Sequence, residues 1–136
     1  MAETLAVTIG NDLVELERLA AQAAAFLEAQ DAPPKVAYAV SLALEELVTN
    51  TIKYGYDDAG RHEIEVKLQI EPARVTLSLA DDGHPFDPLA APPPDVAAPL
   101  EERSVGGLGL HLIRQMAAAA SYRREGGKNL LELRFA

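Results

Sequence analysis

The spacing of hydrophobic residues changes several times along the chain, and each spacing predicts one kind of element. Residues 4–9 alternate as in an edge strand, and Gly10-Asn11 then predicts a turn with Asn11 as a helix N-cap. A first helix follows, with an apolar stripe of Leu13, Leu16, Ala20, Ala23, Ala24 and Leu27. A second helix begins at Pro33-Pro34, runs to Lys53 or Tyr54 before Gly55, and carries Val36, Val40, Leu44, Leu47 and Val48 on one side.

The second half of the chain predicts two hairpins separated by a long loop and a third helix. Polar and apolar residues alternate over 62–70 and again over 75–79, around a turn at 71–74. Six of the nine prolines fall within 82–99, and so long a loop in a small domain is usually a functional lid or a mobile segment. Helical spacing resumes near Gly107 and continues into the alanines of 117–120, and 121–124 and 130–135 then predict a closing hairpin.

This order of elements predicts an α+β fold, a two-layer sandwich in which helices cover one face of a mixed, mostly antiparallel sheet. With 136 residues, we expect a single domain over 1–136. Lys and Arg total 12 against 21 Asp and Glu, a formal net charge of −9, which argues against nucleic acid as a direct partner because phosphate binding relies on cations. No apolar run approaches the roughly 18 residues of a membrane span, and the first residues lack a signal sequence, so we expect a cytoplasmic protein without a membrane partner.

Three short motifs carry the candidate chemistry. In the second helix, Glu46 and Asn50 stand four residues apart and project from one face, whereas Glu45 points about 100° away and is expected to be solvated. At the end of a strand, Asp81-Asp82-Gly83 offers a fixed carboxylate beside backbone that a flat ligand can approach closely. At the start of the third helix, free N–H groups suit phosphates in a turn that contains Gly106, Gly107 and Gly109.

Each motif alone has an ordinary structural explanation: an exposed polar pair, an Asp-Gly turn and a flexible helix start. The glycines do not fit a Rossmann fingerprint, because Leu112 stands three positions after Gly109 and a proline-rich loop precedes them. Gly127-Lys128 lacks the remaining residues of a Walker loop. The three histidines lack zinc-site spacing and no cysteine accompanies them, so we expect no metal centre of nitrogen and sulfur ligands.

Taken in order, the three motifs resemble those of the GHKL (histidine-kinase-like) ATPase superfamily, over about residues 35–135. Glu-Leu-Val-Thr-Asn at 46–50, Asp-Asp-Gly-His-Pro-Phe-Asp-Pro at 81–88 and Gly-Gly-Leu-Gly-Leu-His-Leu-Ile-Arg at 106–114 are similar to the anti-sigma-factor serine/threonine kinases of bacterial partner switching. The resemblance implies a Bergerat-type ATP-binding fold that uses ATP and Mg²⁺.

The same resemblance implies a role for each site residue. Glu46 orients or deprotonates the attacking hydroxyl as general base, Asn50 binds Mg²⁺ through its side-chain oxygen, and Asp81 accepts from the adenine amine. Gly83 lets the backbone approach the base, and Arg103 resembles an arginine that reaches the terminal phosphate, although it lies two residues further upstream of the glycines than expected. The other implied ATP-binding residues are Lys53, Phe86, Gly106, Gly107, Leu108, Gly109 and Leu110.

Two departures from the superfamily pattern accompany these matches. Pro85 replaces the second glycine of Asp-x-Gly-x-Gly, and Gly126-Gly127 stands where relatives often carry Gly-Thr, so one phosphate or adenine contact is expected to be missing. The resemblance implies a kinase that phosphorylates a Ser or Thr of a small antagonist protein, sequesters a sigma factor and forms a homodimer. The alternatives are a non-catalytic, ATP-dependent binding module and the separate catalytic domain of a histidine-kinase-like system.

Overall fold

A computed structural model of the protein describes residues 3–90 and 107–136, and its elements follow the predicted order. The strands are β1 (Glu3–Gly10), β2 (Glu63–Glu71), β3 (Arg74–Asp81), β4 (Ala119–Glu125) and β5 (Lys128–Phe135). The helices are α1 (Leu13–Ala29), α2 (Pro34–Tyr54) and α3 (Gly107–Met116), with a 3-10 turn at Pro88–Ala90. Within these two ranges, no helix is both long and apolar enough to cross a membrane.

The five strands form one sheet in the order β1-β2-β3-β5-β4. Each neighbouring pair is antiparallel, which confirms the mostly antiparallel sheet, and the described residues contain no parallel pair that would make it mixed. β1 lies at one edge, as its sequence predicted, and β4 lies at the other. The β3–β5 pairing sets Asp81 directly opposite Asn129, a juxtaposition that shapes the candidate site.

The helices cover one face of the sheet and share a single apolar core with it, so the predicted two-layer α+β fold is confirmed. The stripe predicted for α2 is buried throughout, and the alternation of β2 and β3 places Ile64, Val66, Leu68, Val75, Leu77 and Leu79 in the same core. The other face of the sheet is polar and carries an ion pair between Lys128 and Glu65 at 3.1 Å.

The start and the buried face of α1 differ from the sequence prediction. Asp12 caps the helix, because its Oδ1 accepts from the Val14 N–H at 2.9 Å, whereas Asn11 bonds across to the connection before β2. Leu13, Ala20 and Ala24 are exposed, and the core takes the line Leu16, Leu19, Ala23 and Leu27. The observed line gains Leu19, which buries more apolar surface than the alanines at 20 and 24 would.

The third helix is shorter than predicted. It ends at Met116, and Ala119 already belongs to β4. The Ala118 N–H donates to the Arg134 carbonyl at 2.7 Å, so sheet pairing replaces the helical hydrogen bonds that the alanine run would otherwise form. The closing hairpin turns at Gly126 and Gly127, whose φ angles of 60° and 77° fit a tight two-residue turn.

Candidate functional site

One end of the candidate site is the turn that follows β3, from Asp81 to Phe86, which we name the base turn. The Asp81 Oδ1 atom accepts two hydrogen bonds, from the Gly83 N–H at 2.9 Å and from Asn129 Nδ2 at 3.0 Å. Among the described residues, no donor reaches Asp81 Oδ2 in a hydrogen bond. The carboxylate is therefore fixed through one oxygen and can accept an external N–H through the other.

Gly83 is buried where two backbones touch. A Cβ at this position would collide with the Gly55 carbonyl and would lie 2.9 Å from Asp81 Oδ1. The Gly55 carbonyl also accepts from the His84 N–H at 2.9 Å, and the Gly83 carbonyl accepts from Arg124 Nη1 at 2.7 Å. The base turn thus packs directly against the end of α2, and glycine is required at position 83 by this close approach.

Asn129 organises the base turn, and the sequence analysis did not identify it. It is 7% exposed and uses its whole amide. Its hydrogen bonds are to Asp81 Oδ1 (3.0 Å), the His84 carbonyl (2.9 Å), the Phe86 N–H (3.2 Å) and the Tyr122 hydroxyl (2.6 Å). The alternation of β5 could have indicated it. Asn129 falls on the same buried face of the strand as Leu131, Leu133 and Phe135, and a polar side chain on a buried face needs hydrogen-bond partners.

The other end of the site lies between α2 and α3. Glu46 is half-buried and Glu45 is exposed, as the helix geometry predicted. Gly109 packs against the Glu46 side chain so closely that a Cβ added there would lie 2.6 Å from Oε1. The carboxylate thus lies against the first turn of the helix whose N–H groups were predicted to bind phosphates.

The electrostatics of this second end suit a reactive carboxylate. Burial raises the pKa of Glu46, and the neighbouring negative charge of Glu45 raises that pKa further. Within residues 3–90 and 107–136, neither Glu46 nor the amide of Asn50 is hydrogen-bonded to another group. Both side chains are therefore available to a ligand.

The side chain of Asn50 suits a Mg²⁺ ion that takes most of its oxygen ligands from phosphates and water. The described residues contain no group of three or more His, Cys, Asp or Glu side chains that could hold a metal by themselves. Mg²⁺ prefers oxygen donors and commonly takes only one or two from the protein, with the remainder from phosphates and water. The unpartnered amide oxygen of Asn50 fits that mode of binding as a single protein donor.

The other predicted site residues fall into three groups. Lys53 is exposed in the last turn of α2, Phe86 is exposed in the base turn, and the Leu110 side chain is buried in the core. Gly107 and Leu108 belong to the first turn of α3. Arg103, Gly106 and residues 91–99 of the proline-rich segment lie outside the described residues.

Tyr56 is a further residue that the motifs did not indicate. Its ring stacks on His62 with centroids 4.2 Å apart, and its buried hydroxyl has no hydrogen-bond partner in the described part of the chain. Burial raises the pKa of Tyr56, and the charges of Asp81 and Asp82 add to the increase. The phenol is therefore neutral and lies against the base turn.

Comparison with known proteins identifies the family. The family model described as the histidine kinase-like ATPase domain matches residues 9–135. The chain belongs to this family. A serine/threonine-protein kinase, BtrW of Bordetella bronchiseptica, is 30% identical over 99 residues, which cover 73% of this chain and 70% of BtrW. A serine-protein kinase, RsbW of Bacillus velezensis, is 27% identical over 81 residues, or 57% of this chain and 51% of RsbW.

Solved structures show the same fold. The crystal structure of the RsbU and RsbW domains of Rv1364c from Mycobacterium tuberculosis matches 98% of this chain and 32% of that chain, with a TM-score of 0.65 and 17% identity. The SiaB–SiaC complex from Pseudomonas aeruginosa includes a chain that matches 96% of this one, at 88% of its own length, with a TM-score of 0.58 and 22% identity. The family and the fold that the motifs implied are thereby confirmed.

Proposed function

We propose that this chain is an ATP-dependent protein kinase that phosphorylates a Ser or Thr hydroxyl on a small antagonist protein, as in bacterial partner switching. The observation that carries the proposal is the contact between Glu46 and Gly109. A carboxylate with a raised pKa and no described hydrogen-bond partner lies against a helix start that suits phosphates. General-base transfer of a phosphoryl group requires that juxtaposition.

The base turn supports adenine as the nucleobase. The free Oδ2 of Asp81 would accept an N–H from the exocyclic amine, while the Gly83 N–H, in a turn packed against the Gly55 backbone, holds the carboxylate through Oδ1. A carboxylate cannot donate, so it disfavours a base that presents a carbonyl oxygen at the same position.

The phosphates would lie between the two helices. The N–H groups of Gly107, Leu108 and Gly109 at the start of α3 would donate to phosphate oxygens, with Gly106 and Arg103 as further contacts implied by the resemblance. Asn50 would hold Mg²⁺ through its amide oxygen. When bound, Mg²⁺ neutralises negative charge on the β- and γ-phosphate oxygens.

In the proposed reaction, Glu46 accepts the proton of the substrate hydroxyl as that oxygen attacks the γ-phosphorus. The new bond joins the hydroxyl oxygen to phosphorus, the bond from phosphorus to the bridging oxygen breaks, and ADP leaves with the electron pair. Burial favours this role, because a carboxylate with a raised pKa is a stronger base at the same position.

A protein partner is supported by the relatives and by the charge of the chain. Two relatives are named as protein kinases, and a structural neighbour is solved as a complex of two proteins. Phosphorylation would add about −1.5 to −2 charges to the partner, which repels a chain of net charge −9 and favours release. A sigma factor as a second partner and a homodimer stay predictions from the resemblance.

The test is transfer of label from γ-labelled ATP to the product of a neighbouring gene that resembles an antagonist protein. We expect acid-stable label on the partner, reduced about 100-fold or more by Glu46→Gln and nearly unchanged by the matched control Glu45→Gln. Nucleotide binding without any labelled partner would favour a non-catalytic module. Acid-labile label on a partner histidine would favour the histidine-kinase-like alternative, and either result would overturn the proposal.

A further inference from the structure

A second cluster of titratable groups lies where the connection between α2 and β2, residues 55–62, meets the base turn. His62 Nε2 lies 2.8 Å from Asp58 Oδ1, and His62 Nδ1 lies 3.1 Å from Asp82 Oδ1. The Tyr56 ring stacks on the imidazole with an interplanar angle of 9°. Both ring nitrogens therefore face carboxylate oxygens that belong to two different segments of the chain.

This geometry selects one protonation state of His62. A neutral imidazole carries a single N–H, so its second nitrogen would present a lone pair to a carboxylate oxygen. The imidazolium donates to both, which is a pair of charge-assisted hydrogen bonds. The bonds to Asp58 and Asp82 accordingly raise the pKa of His62 above its usual value of 6.5, although partial burial acts in the opposite direction. The His62 side chain is only 18% exposed.

The cluster is attached to the base turn at several points. Asp82 lies between Asp81 and Gly83 in sequence. The His84 N–H bonds to the Gly55 carbonyl at 2.9 Å, and His84 Nδ1 lies 3.0 Å from Asp57 Oδ1. The 55–62 connection thus holds the turn from the α2 side by contacts that include two imidazole–carboxylate pairs.

The opposite side of the base turn is held by a guanidinium and a side-chain amide. Arg124 bonds to the Gly83 carbonyl, and Asn129 bonds to Asp81 and to the backbone of the turn. An arginine stays charged and an amide stays neutral across the whole physiological range. The contacts that Arg124 and Asn129 make with the base turn therefore do not change with pH, whereas the contacts from the 55–62 connection depend on protonation of His62.

We infer that His62, as an imidazolium that bridges Asp58 and Asp82, is a positioning residue of the nucleotide site and makes nucleotide affinity depend on pH. The inference rests on the proposed function, because it concerns the turn that would bind the base. Loss of the proton leaves one N–H, which the shorter distance places on Nε2 toward Asp58, so that Nδ1 presents a lone pair to Asp82 and the base turn loses its His62 contact with the 55–62 connection. The groups that face the ring are Asp58, Asp82 and the neutral phenol of Tyr56, while the neighbouring Arg61 reaches Glu15 at 3.7 Å.

The sign of the effect follows from the direction of the pKa change. A histidine whose pKa is raised by folding contributes stability that is complete below pH 6.5 and is lost as the pH rises through the higher folded value. If nucleotide binding needs the bridged turn, nucleotide affinity is highest while His62 is protonated and falls as the pH rises above the folded pKa of His62. In that higher pH range, nucleotide binding is accompanied by uptake of a proton at His62.

The first experiment measures binding of Mg-ADP by calorimetry at several pH values between 6.5 and 9. We expect the wild-type chain to lose about three- to tenfold in affinity over this range, since one unit of pKa shift corresponds to about tenfold. His62→Gln should already bind Mg-ADP at pH 6.5 with the weaker affinity that the wild type reaches at pH 9. Its remaining pH dependence should come only from titration of the nucleotide. Asp82→Asn should do the same, and the control Glu65→Gln, which removes a carboxylate from the opposite face of the sheet, should match wild type.

The second experiment reads the His62 ring directly by ¹⁵N NMR of the nucleotide-free protein. We expect both ring nitrogens to be protonated at pH 6.5 and the ring to titrate at a higher pH than the usual 6.5. A neutral single tautomer at pH 6.5, or parallel affinity profiles for wild type and His62→Gln, would overturn the inference. Absence of ADP binding at every pH would instead remove the proposed function, and with it the site, even where the ring titrates as expected.

Discussion

The two ends of the candidate site differ in how their polar groups are satisfied. At the base turn, Asn129 uses its whole amide, and one oxygen of Asp81 accepts two hydrogen bonds. Between α2 and α3, neither Glu46 nor Asn50 forms a hydrogen bond with any other described group, and burial raises the pKa of Glu46. The base turn is therefore held in place without a ligand and keeps Asp81 Oδ2 free, whereas the polar side chains of the other end have no hydrogen-bond partner among the described residues.

This difference separates recognition from chemistry. A binding surface gains affinity when it is fixed before the ligand arrives, because no ordering is then left to oppose association. A reactive group must instead keep its lone pairs free for a proton or a metal ion. A half-buried carboxylate without a partner lowers the stability of the fold, and such costly arrangements concentrate at functional sites. The satisfied end is therefore the candidate for specificity, and the unsatisfied end is the candidate for catalysis.

The largest expected effect is a reversal of base preference by Asp81→Asn. The Gly83 N–H and Asn129 Nδ2 both donate to Oδ1, so the new amide must place its oxygen there and present its NH₂ group to the ligand. A donor then faces the adenine amine but suits the carbonyl of hypoxanthine. We expect the ratio of ATP to inosine triphosphate affinity, measured by calorimetry, to fall about 100-fold.

The inosine nucleotide serves as the internal control for this variant, because a general loss of folding would weaken both nucleotides alike. Equal weakening of the two would mean that Asp81 acts on the stability of the turn and does not read the base. An unchanged preference for ATP would contradict the proposed base end of the site.

The next largest effect is expected at Asn129, which holds Asp81 in place by a hydrogen bond. Asn129→Ala leaves the Phe86 N–H, the Tyr122 hydroxyl and the His84 carbonyl without their partner. Because unsatisfied buried groups cost about 1–3 kcal/mol each and water can satisfy some of them here, we expect the free energy of unfolding to fall by about 2 kcal/mol. Denaturant titration measures the free energy of unfolding. The control is Lys128→Ala, which removes the neighbouring exposed ion pair and should lower the free energy of unfolding by less than about 0.5 kcal/mol. A similar small cost for both would show that the amide network is not needed.

Asn129 also marks the limit of what the sequence could predict. The order of elements, the buried stripe of α2 and the antiparallel hairpins follow from local spacing and turn residues, so they were predictable. The pairing of Asn129 with Asp81 depends on the register between β3 and β5, which brings together residues 48 positions apart. No local motif encodes that register, and a family pattern that places Gly-Thr in this hairpin directs attention to Gly126-Gly127 instead.

The errors in α1 have a similar origin. Asn11 and Asp12 are both good N-cap residues, and the choice between them depends on the connection before β2, to which Asn11 bonds through Gly60 and His62. The end of α3 is likewise decided by pairing of Ala118 with Arg134 in the sheet, since alanine alone favours a longer helix. In each case a tertiary contact decided between two local options of similar energy.

A smaller effect is expected at the catalytic end from Gly109→Ala. The new Cβ would lie 2.6 Å from Glu46 Oε1, so the carboxylate must move, but its flexible side chain limits the damage. We expect the rate of phosphoryl transfer to the partner to fall about tenfold, with ADP affinity changed less than about threefold. Adding Glu46→Gln to this variant should cost less than it does in the wild type, because both changes act on one group. Full additivity of the two losses would contradict the shared mechanism.

The smallest effect tests the cause of the raised pKa at Glu46. Burial and the charge of Glu45 both favour the protonated carboxyl, so the rate of transfer should fall as the pH drops through a pKa above 4.5. Glu45→Gln removes a negative charge, which lowers that pKa and moves the acid limb of the pH–rate profile to lower pH. Because Glu45 is exposed and screened, we expect a shift of less than about one pH unit, larger at low salt. A limb that stays in place, or moves to higher pH, would mean that Glu46 is not the group that titrates, and the distinction between a satisfied binding end and an unsatisfied catalytic end would lose its main support.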